Sequence, residues 1–515
     1  MRRTPLMLLA AVALVPATIW TTTASASAAS GSLTVTTYDR TGAKVSTPLS
    51  LTNIATNTDY TATSGKAKSL PKGTYTVVAA ITTRRDSSDT VGARVLKVGS
   101  GKTTTTIDAR AGKALKMSLD KPPAGQNQEL RARICGGDTF SSQVEVYNSP
   151  GKIFVIPNKS KHLRSAFAAS WSGQGSESWI VTSSSTTVPS SLTKSFKRSS
   201  LANLTAWARN GPSAGLETSI MLQAGGDQCR TDLSFGIYQE NTPFTFKTHV
   251  SPGSWLVRAD TWGRLNNGES TTLGFQWAQR TFTAGKSYTQ TFFRSAWGPA
   301  YNVPRVSGGH LSFDTTSMFV DPSFGSQYYP QSEASEKSLV TLSLKGKVLK
   351  KQSRTDWGSI DTAWFEKKIT KKGWYLLTVS AQRYRPGLKY PSGLLSDRTG
   401  VWFSFYADPK KNKTASVLLP RMNPAGLDIW NRAKPGSSTT VDIKLQGKAI
   451  PKSVTAKASF DGGKTWKSVP VKKSGSAWKA TVKNPGSGVV ALKTQTQDKG
   501  GNKTEVTIYR AYRIG

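Results

Sequence analysis

Histidine and cysteine are nearly absent from this chain: three histidines and two cysteines occur in 515 residues. His162, His249 and His310 lie far apart, and neither Cys-x-x-Cys nor His-x-x-x-His spacing occurs, which argues against a zinc site. Acids are scarce too, with 30 Asp and Glu against 69 Lys and Arg. Carboxylate pairs of the glycosidase kind therefore have few candidates, and none stands in a recognisable context. After the first thirty residues no stretch approaches the roughly 18 apolar residues of a membrane helix, so no transmembrane segment is expected. Helical periodicity of any length is missing as well. Glutamate, a common filler of surface helices, is sparse where lysine is dense.

What is present begins with a secretory layout. Arg2 and Arg3 precede an apolar run from Leu6 to Trp20, and small residues follow at Ala24–Ala28, so residues 1–30 read as a signal peptide and the protein as extracellular. Pro16 interrupts the run. In an oxidising exterior, Cys135 and Cys229 are expected to form one disulfide. The remaining chain is long enough for three or four domains at about 150 residues each. A formal net charge of +39, lowered only by Arg2 and Arg3 on processing, draws polyanions. Outside a bacterium these include anionic wall polymers. The lysines are spread along the chain, and no motif points to specific nucleic-acid recognition. Solubility alone is the competing account of the charge.

Short β-branched and aromatic runs of period two, divided by Gly, Pro, Asn and Ser turns, make the expected class all-β, a series of sandwich modules. The first spans 31–122, with strands at Thr34–Tyr38, Thr74–Thr82 and Thr103–Asp108. Lys121–Gln126, with Pro122 and Pro123, reads as a linker. A large aromatic-rich sandwich is expected over 127–304, a third module over 305–422, and a last over 436–515 after a stretch rich in Pro, Gly and Ser.

Two resemblances rest on particular segments. Leu70–Val77, a Pro71 and Gly73 turn entering a strand, resembles the signature of transthyretin-like modules in carboxypeptidase regulatory domains. Val454–Trp466 together with Gln497–Thr504 and Tyr509–Tyr512 resembles the C-terminal immunoglobulin-like domain of secreted subtilisin-like peptidases of actinomycetes. Thr281–Phe292, Trp297–Ala300 and Thr106–Arg110 are similar to the same accessory region, in the same order. The resemblance implies immunoglobulin-like folding at the C-terminus and a secreted protease as a partner. It implies no catalysis. No histidine here is followed by Gly-Thr, and Thr315–Met318 is only a partial match to the nucleophile segment, without its glycine.

Each remaining motif has a structural reading beside the chemical one. Ser459–Trp466 fits the Asp-box pattern, but a single copy makes no propeller. The expected hairpin has Asp461 bonding turn amides, Gly463 taking an unusual dihedral and Trp466 plugging the core. Gly211–Gly215 matches Gly-x-Ser-x-Gly, yet Pro212 and the residues after it read as a turn into a strand, so Ser213 is not expected to be a nucleophile. Asp86–Asp89 supplies too few oxygens for calcium and reads as a solvated turn. Trp171, Trp179, Trp207, Trp255, Trp262, Trp277 and Trp297 are mostly core candidates. Trp262, in a segment read as a hairpin tip, is the choice for an exposed ligand contact.

The expectation is thus a non-enzymatic binding or structural protein of the bacterial envelope, without cofactor or metal, held by anionic wall polymers or by a secreted protease. The alternative is a secreted hydrolase, or a protease-accessory subunit acting in trans. A histidine gathered with an acid and a serine would favour the hydrolase.

Overall fold

A computed structural model describes residues 30–515 except 138, 140, 173–174, 176, 213–216, 227, 232, 324–335 and 356–362. The expected leader and Ser213 lie outside the described residues. The class is all-β: strands dominate the described residues, and the helices among them are single turns such as Gln228–Thr231.

The alternation read from the sequence sets the layers. In Ser30–Tyr38, Leu33 and Val35 point to the core, and Thr34 and Thr36, which alternate with them, point away from it. This strand pairs in parallel with Lys102–Asp108 and antiparallel with Ala67–Pro71. Facing it is a sheet of Thr58–Thr63, Pro48–Asn53, Gly73–Thr83 and Ser88–Val98. Leu51, Tyr75, Val77 and Ile81 fill the space between.

The second sandwich sets seven strands, among them Asn127–Gly136, Leu163–Ser172 and Ala202–Ala208, against four, Ser234–Asn241, Glu217–Ala224, Gly253–Arg264 and Ser270–Phe282. Trp255 and Phe246 are fully buried here. Downstream, an extended sheet runs through Glu336–Leu344, Gly373–Arg383, Arg398–Ala407, Lys503–Ile514, Gly488–Asp498 and Pro451–Ser459. Two four-stranded sheets accompany it, one built on Arg305–Ser307 and His310–Asp314, the other on Leu419–Pro424, Ser438–Gln446 and Ala477–Lys483.

The modules interlock more than a series of separate sandwiches would. Ile153–Val155, from the second stretch, adds in parallel to Ser88–Val98 of the first, while Lys116–Leu119 pairs with Thr193–Phe196 of the second. One core cluster accordingly mixes Val78 and Val91 with Leu130 and Phe167. Further on, Arg398–Ala407 pairs antiparallel with Lys503–Ile514, in register from Thr399 opposite Ile508 to Ser404 opposite Lys503. Two strands that would otherwise end sheets with unpaired backbone satisfy each other. The segment 419–433, which lies outside the expected last module, pairs into it through Leu419–Pro424 and Arg432–Ala433.

Candidate functional site

Cys135 and Cys229 are bonded, with Cα atoms 5.7 Å apart and both residues fully buried. The hairpin at Ser459–Trp466 forms as expected at Asp461, which accepts from the Lys464 and Thr465 backbone N–H groups at 3.0 Å and from the Ser459 hydroxyl at 2.7 Å. The Thr465 hydroxyl and backbone N–H, then the Ser459 hydroxyl, hold this carboxyl well below the usual carboxylate range. Gly463 sits at φ +93°, where a Cβ would stand 2.6 Å from Tyr509 Cε1. Trp466 departs from expectation: it is half-buried and caps the hairpin, donating to Gly463 O at 3.0 Å, with Lys493 Nζ 4.6 Å from its ring centroid. An exposed hairpin cannot deliver it to the core.

Trp262 also departs. It lies within Gly253–Arg264, while the turn itself closes between Leu265 and Glu269. Half-buried, it lines a cleft of about 490 Å³ with Glu217, Arg264 and Lys389. Of the other candidate tryptophans, Trp171, Trp179, Trp255 and Trp297 are core residues and Trp207 is exposed.

His249 and His310 are held by partners other than a serine. His249 Nδ1 stands 2.6 Å from Asn203 Oδ1 and Nε2 2.7 Å from Glu177 Oε1, while the ring stacks on Trp179 at 4.9 Å. With both nitrogens engaged, none is left for a serine hydroxyl; the imidazole ties three strands together. His310 Nδ1 lies 3.1 Å from Gly308 O. Asp86 accepts from Ser88 N and Asp89 from Thr82 Oγ1, which closes the expected turn. Among the described residues no three His, Cys, Asp or Glu side chains gather to hold a metal.

The exposed aromatic surface that sequence reading missed is on Gly373–Arg383 and its neighbour. Tyr375, Leu377 and Val379 face the core, so Trp374 and Leu376 face out, 44% and 40% exposed. Opposite Trp374 in register stands Tyr406, 50% exposed, with the rings edge to face at 6.1 Å. Beside them opens a cleft of about 380 Å³ lined by Phe405, Tyr406, Lys372, Lys411, Lys413 and Asp408. Asp408 turns the chain, accepting from Lys410 N at 3.0 Å, and so presents the lysines. Asn502 closes the other wall, with Tyr406 N donating to its Oδ1 at 3.3 Å and its Nδ2 donating to Ser416 O at 2.9 Å. Among the described residues none of the three lysines is in a salt bridge. Acid partners are lacking by stoichiometry: pairing every acid with one base would still leave 39 cations unmatched. Aromatic faces beside uncompensated ammonium groups suit a ligand with apolar ring faces and anionic substituents.

No protein-family model matches the sequence, and no curated protein matches it. Solved structures with some likeness include a Ca2+-stabilised adhesin that helps an Antarctic bacterium reach out and bind ice, 9% identical over 94% of this chain and 99% of that one, at a TM-score of 0.15. Another is trypsin-activated alpha-2-macroglobulin from Escherichia coli, 8% identical over 91% of this chain and 39% of the other, also at a TM-score of 0.15. Superposition this poor transfers neither an arrangement nor a function.

Proposed function

We propose that this is a secreted, non-catalytic binding protein of the bacterial envelope, which holds an anionic wall glycopolymer at the cleft lined by Tyr406 and the lysines 372, 411 and 413, beside Trp374. The observation that carries the reading is the pairing of two half-exposed aromatic rings with three lysines that, among the described residues, form no salt bridge. Sugar faces would stack on the rings while phosphate or carboxylate groups meet the ammonium groups. The remaining excess charge would raise the local concentration of the polymer and speed its capture. The leader-like residues 1–30 and the Cys135–Cys229 bond accord with work outside the cell.

The test is retention of residues 31–515 on isolated cell walls, with and without their anionic polymers, across a salt series. Retention should require the polymer, fade with salt, and drop in Trp374→Ala/Tyr406→Ala. Equal retention on stripped walls, or none at low salt on either preparation, overturns the reading and turns attention to a secreted protease as partner.

A further inference from the structure

A second basic recess differs in chemistry from the cleft and shares no lining residue with it. About 460 Å³ in volume, it lies between the second sandwich and the C-terminal one. Its walls are Ser270–Phe282 and Ser287–Phe292 on one side, Leu419–Pro424 and Ser438–Gln446 on the other, with Pro322 and Ser323 closing it. Four cations line it, Arg280, Arg294, Arg421 and Lys444, against one acid, Asp442.

Most of the bonds these arginines make go to neutral acceptors. Arg280 Nη2 donates to Gln290 Oε1 at 2.8 Å, and Arg421, only 5% exposed, donates through Nη2 to the main-chain oxygen of Asp321 at 2.6 Å. Arg294 Nε is buried and has no hydrogen-bond partner. The buried carboxylate of Asp321 is close by but already taken. Its Oδ1 accepts from Ser323 N and Oγ, and its Oδ2 from Arg294 N at 2.9 Å and Gln276 Nε2 at 3.3 Å. Nearby Arg209, partly buried, is pushed down in pKa mainly by desolvation and then by the charge of Arg294, with Asp321 and Asp428 acting the other way. Asn423 adds a buried side-chain oxygen that meets no donor.

We propose that this recess binds a hydroxylated phosphate ester, its phosphoryl group among Arg280, Arg294, Arg421 and Lys444 and a neighbouring hydroxyl donating to Asn423 Oδ1. Planar guanidinium groups match phosphoryl oxygens two at a time, which a lysine cannot do. The volume exceeds what a bare phosphate needs and leaves room for a glycerol- or sugar-sized unit. The phosphoryl group can belong to a free ester or to a polymer end. The proposal holds whether or not the Trp374 cleft takes a polymer.

The experiment is calorimetric titration of residues 31–515 with glycerol 3-phosphate, inorganic phosphate, glycerol and a poly(glycerol phosphate) oligomer. The proteins are the unaltered chain, Arg280→Gln/Lys444→Gln and Trp374→Ala. Arg280 and Lys444 are exposed, so the double variant keeps its fold, checked by near-ultraviolet circular dichroism. Glycerol 3-phosphate should bind saturably and more tightly than inorganic phosphate, and glycerol not at all. Loss of two charge-assisted contacts should weaken it at least about tenfold, while Trp374→Ala leaves it unchanged. Binding of the ester without the oligomer assigns the site to free esters; oligomer binding that Arg280→Gln/Lys444→Gln weakens and Trp374→Ala does not admits the polymer. No saturable binding of either phosphate compound, equal binding of inorganic phosphate and the ester, or undiminished affinity in the double variant overturns the proposal.

Discussion

Replacing both cysteines by alanine should cost the second sandwich much of its stability. The bond joins the end of Asn127–Gly136 to Gln228–Thr231 across a separation of 94 residues. Closing a loop of about a hundred residues restricts the unfolded chain by about 4.7 kcal/mol in the chain-entropy account, and native disulfides typically return 2–5 kcal/mol on removal. The loss has a local side as well. A single helical turn cannot hold itself in water, so without its tether Gln228–Thr231 should detach. Arg230, whose guanidinium lies 5.6 Å from the Trp255 ring centroid, should leave with it. Alanine is the right replacement, because serine would bury hydroxyls beside the apolar Ala166 and Ala168. Urea titration followed by tryptophan fluorescence and far-ultraviolet circular dichroism gives the comparison. We expect a loss of about 3–5 kcal/mol, or roughly 10 °C in melting temperature for a unit of this size. A change below about 1 kcal/mol, with the tryptophan emission of the native state unaltered, would refute the argument.

Three further outcomes are expected. Asp461 has its carboxyl lowered by the Thr465 and Ser459 groups, so its contribution is present above the unfolded carboxylate pKa and is lost as pH falls toward the folded value. Thermal melts of Asp461→Asn should lie below those of the unaltered chain at pH 7 and converge with them in strong acid; a gap that stays constant with pH contradicts this. Gly92→Ala places a Cβ 2.6 Å from Ile156 Cδ1 and 2.9 Å from Ile107 Cγ2, so overpacking of the seam between the first two sandwiches should cost about 1–3 kcal/mol by denaturant titration, and a neutral effect would show that the seam yields. Trp374→Ala/Tyr406→Ala should leave the melting temperature within a few degrees, since both rings stand on an outer face, while wall retention drops; a large stability loss instead would mark them as structural.

The strand content was legible because alternation is a local property. The pattern of Ser30–Tyr38 shows in the order of apolar and threonine residues alone. Which face meets a partner is not local. Trp374 and Tyr375 are neighbours of similar bulk, and a strand must send them to opposite sides. Only the packing of Leu377 and Val379 beneath decides that the tryptophan goes out. Trp262 shows a second obstacle. Its Gly263 and the Asn266–Gly268 stretch signal a turn, but they do not say how far Gly253–Arg264 runs before the chain reverses at Leu265–Glu269, which leaves Trp262 on the strand and not at the tip. Contacts between modules are hidden for a third reason. Asn431 is an ordinary loop residue in sequence, yet its side chain accepts from Ser295 N at 3.2 Å and donates to Phe293 O at 2.9 Å, pinning the C-terminal region to the second sandwich. The disulfide was legible because two cysteines in a chain read as exported leave one pairing.

Charge placement separates the two basic sites by their response to salt. The lysines of the Trp374 cleft lie beside half-exposed rings, where mobile ions screen them within about 8 Å at physiological strength. Arg421 and the Nε atom of Arg294 are withdrawn from solvent, so an anion beside them interacts through protein more than through electrolyte. Retention on a polymer should therefore fall steeply with salt, in proportion to the number of phosphates engaged. Binding of a small ester in the recess should fall less, because fewer counterions leave and the contacts are directional hydrogen bonds. A steep salt dependence for both would mean that the recess acts only as part of the general positive field.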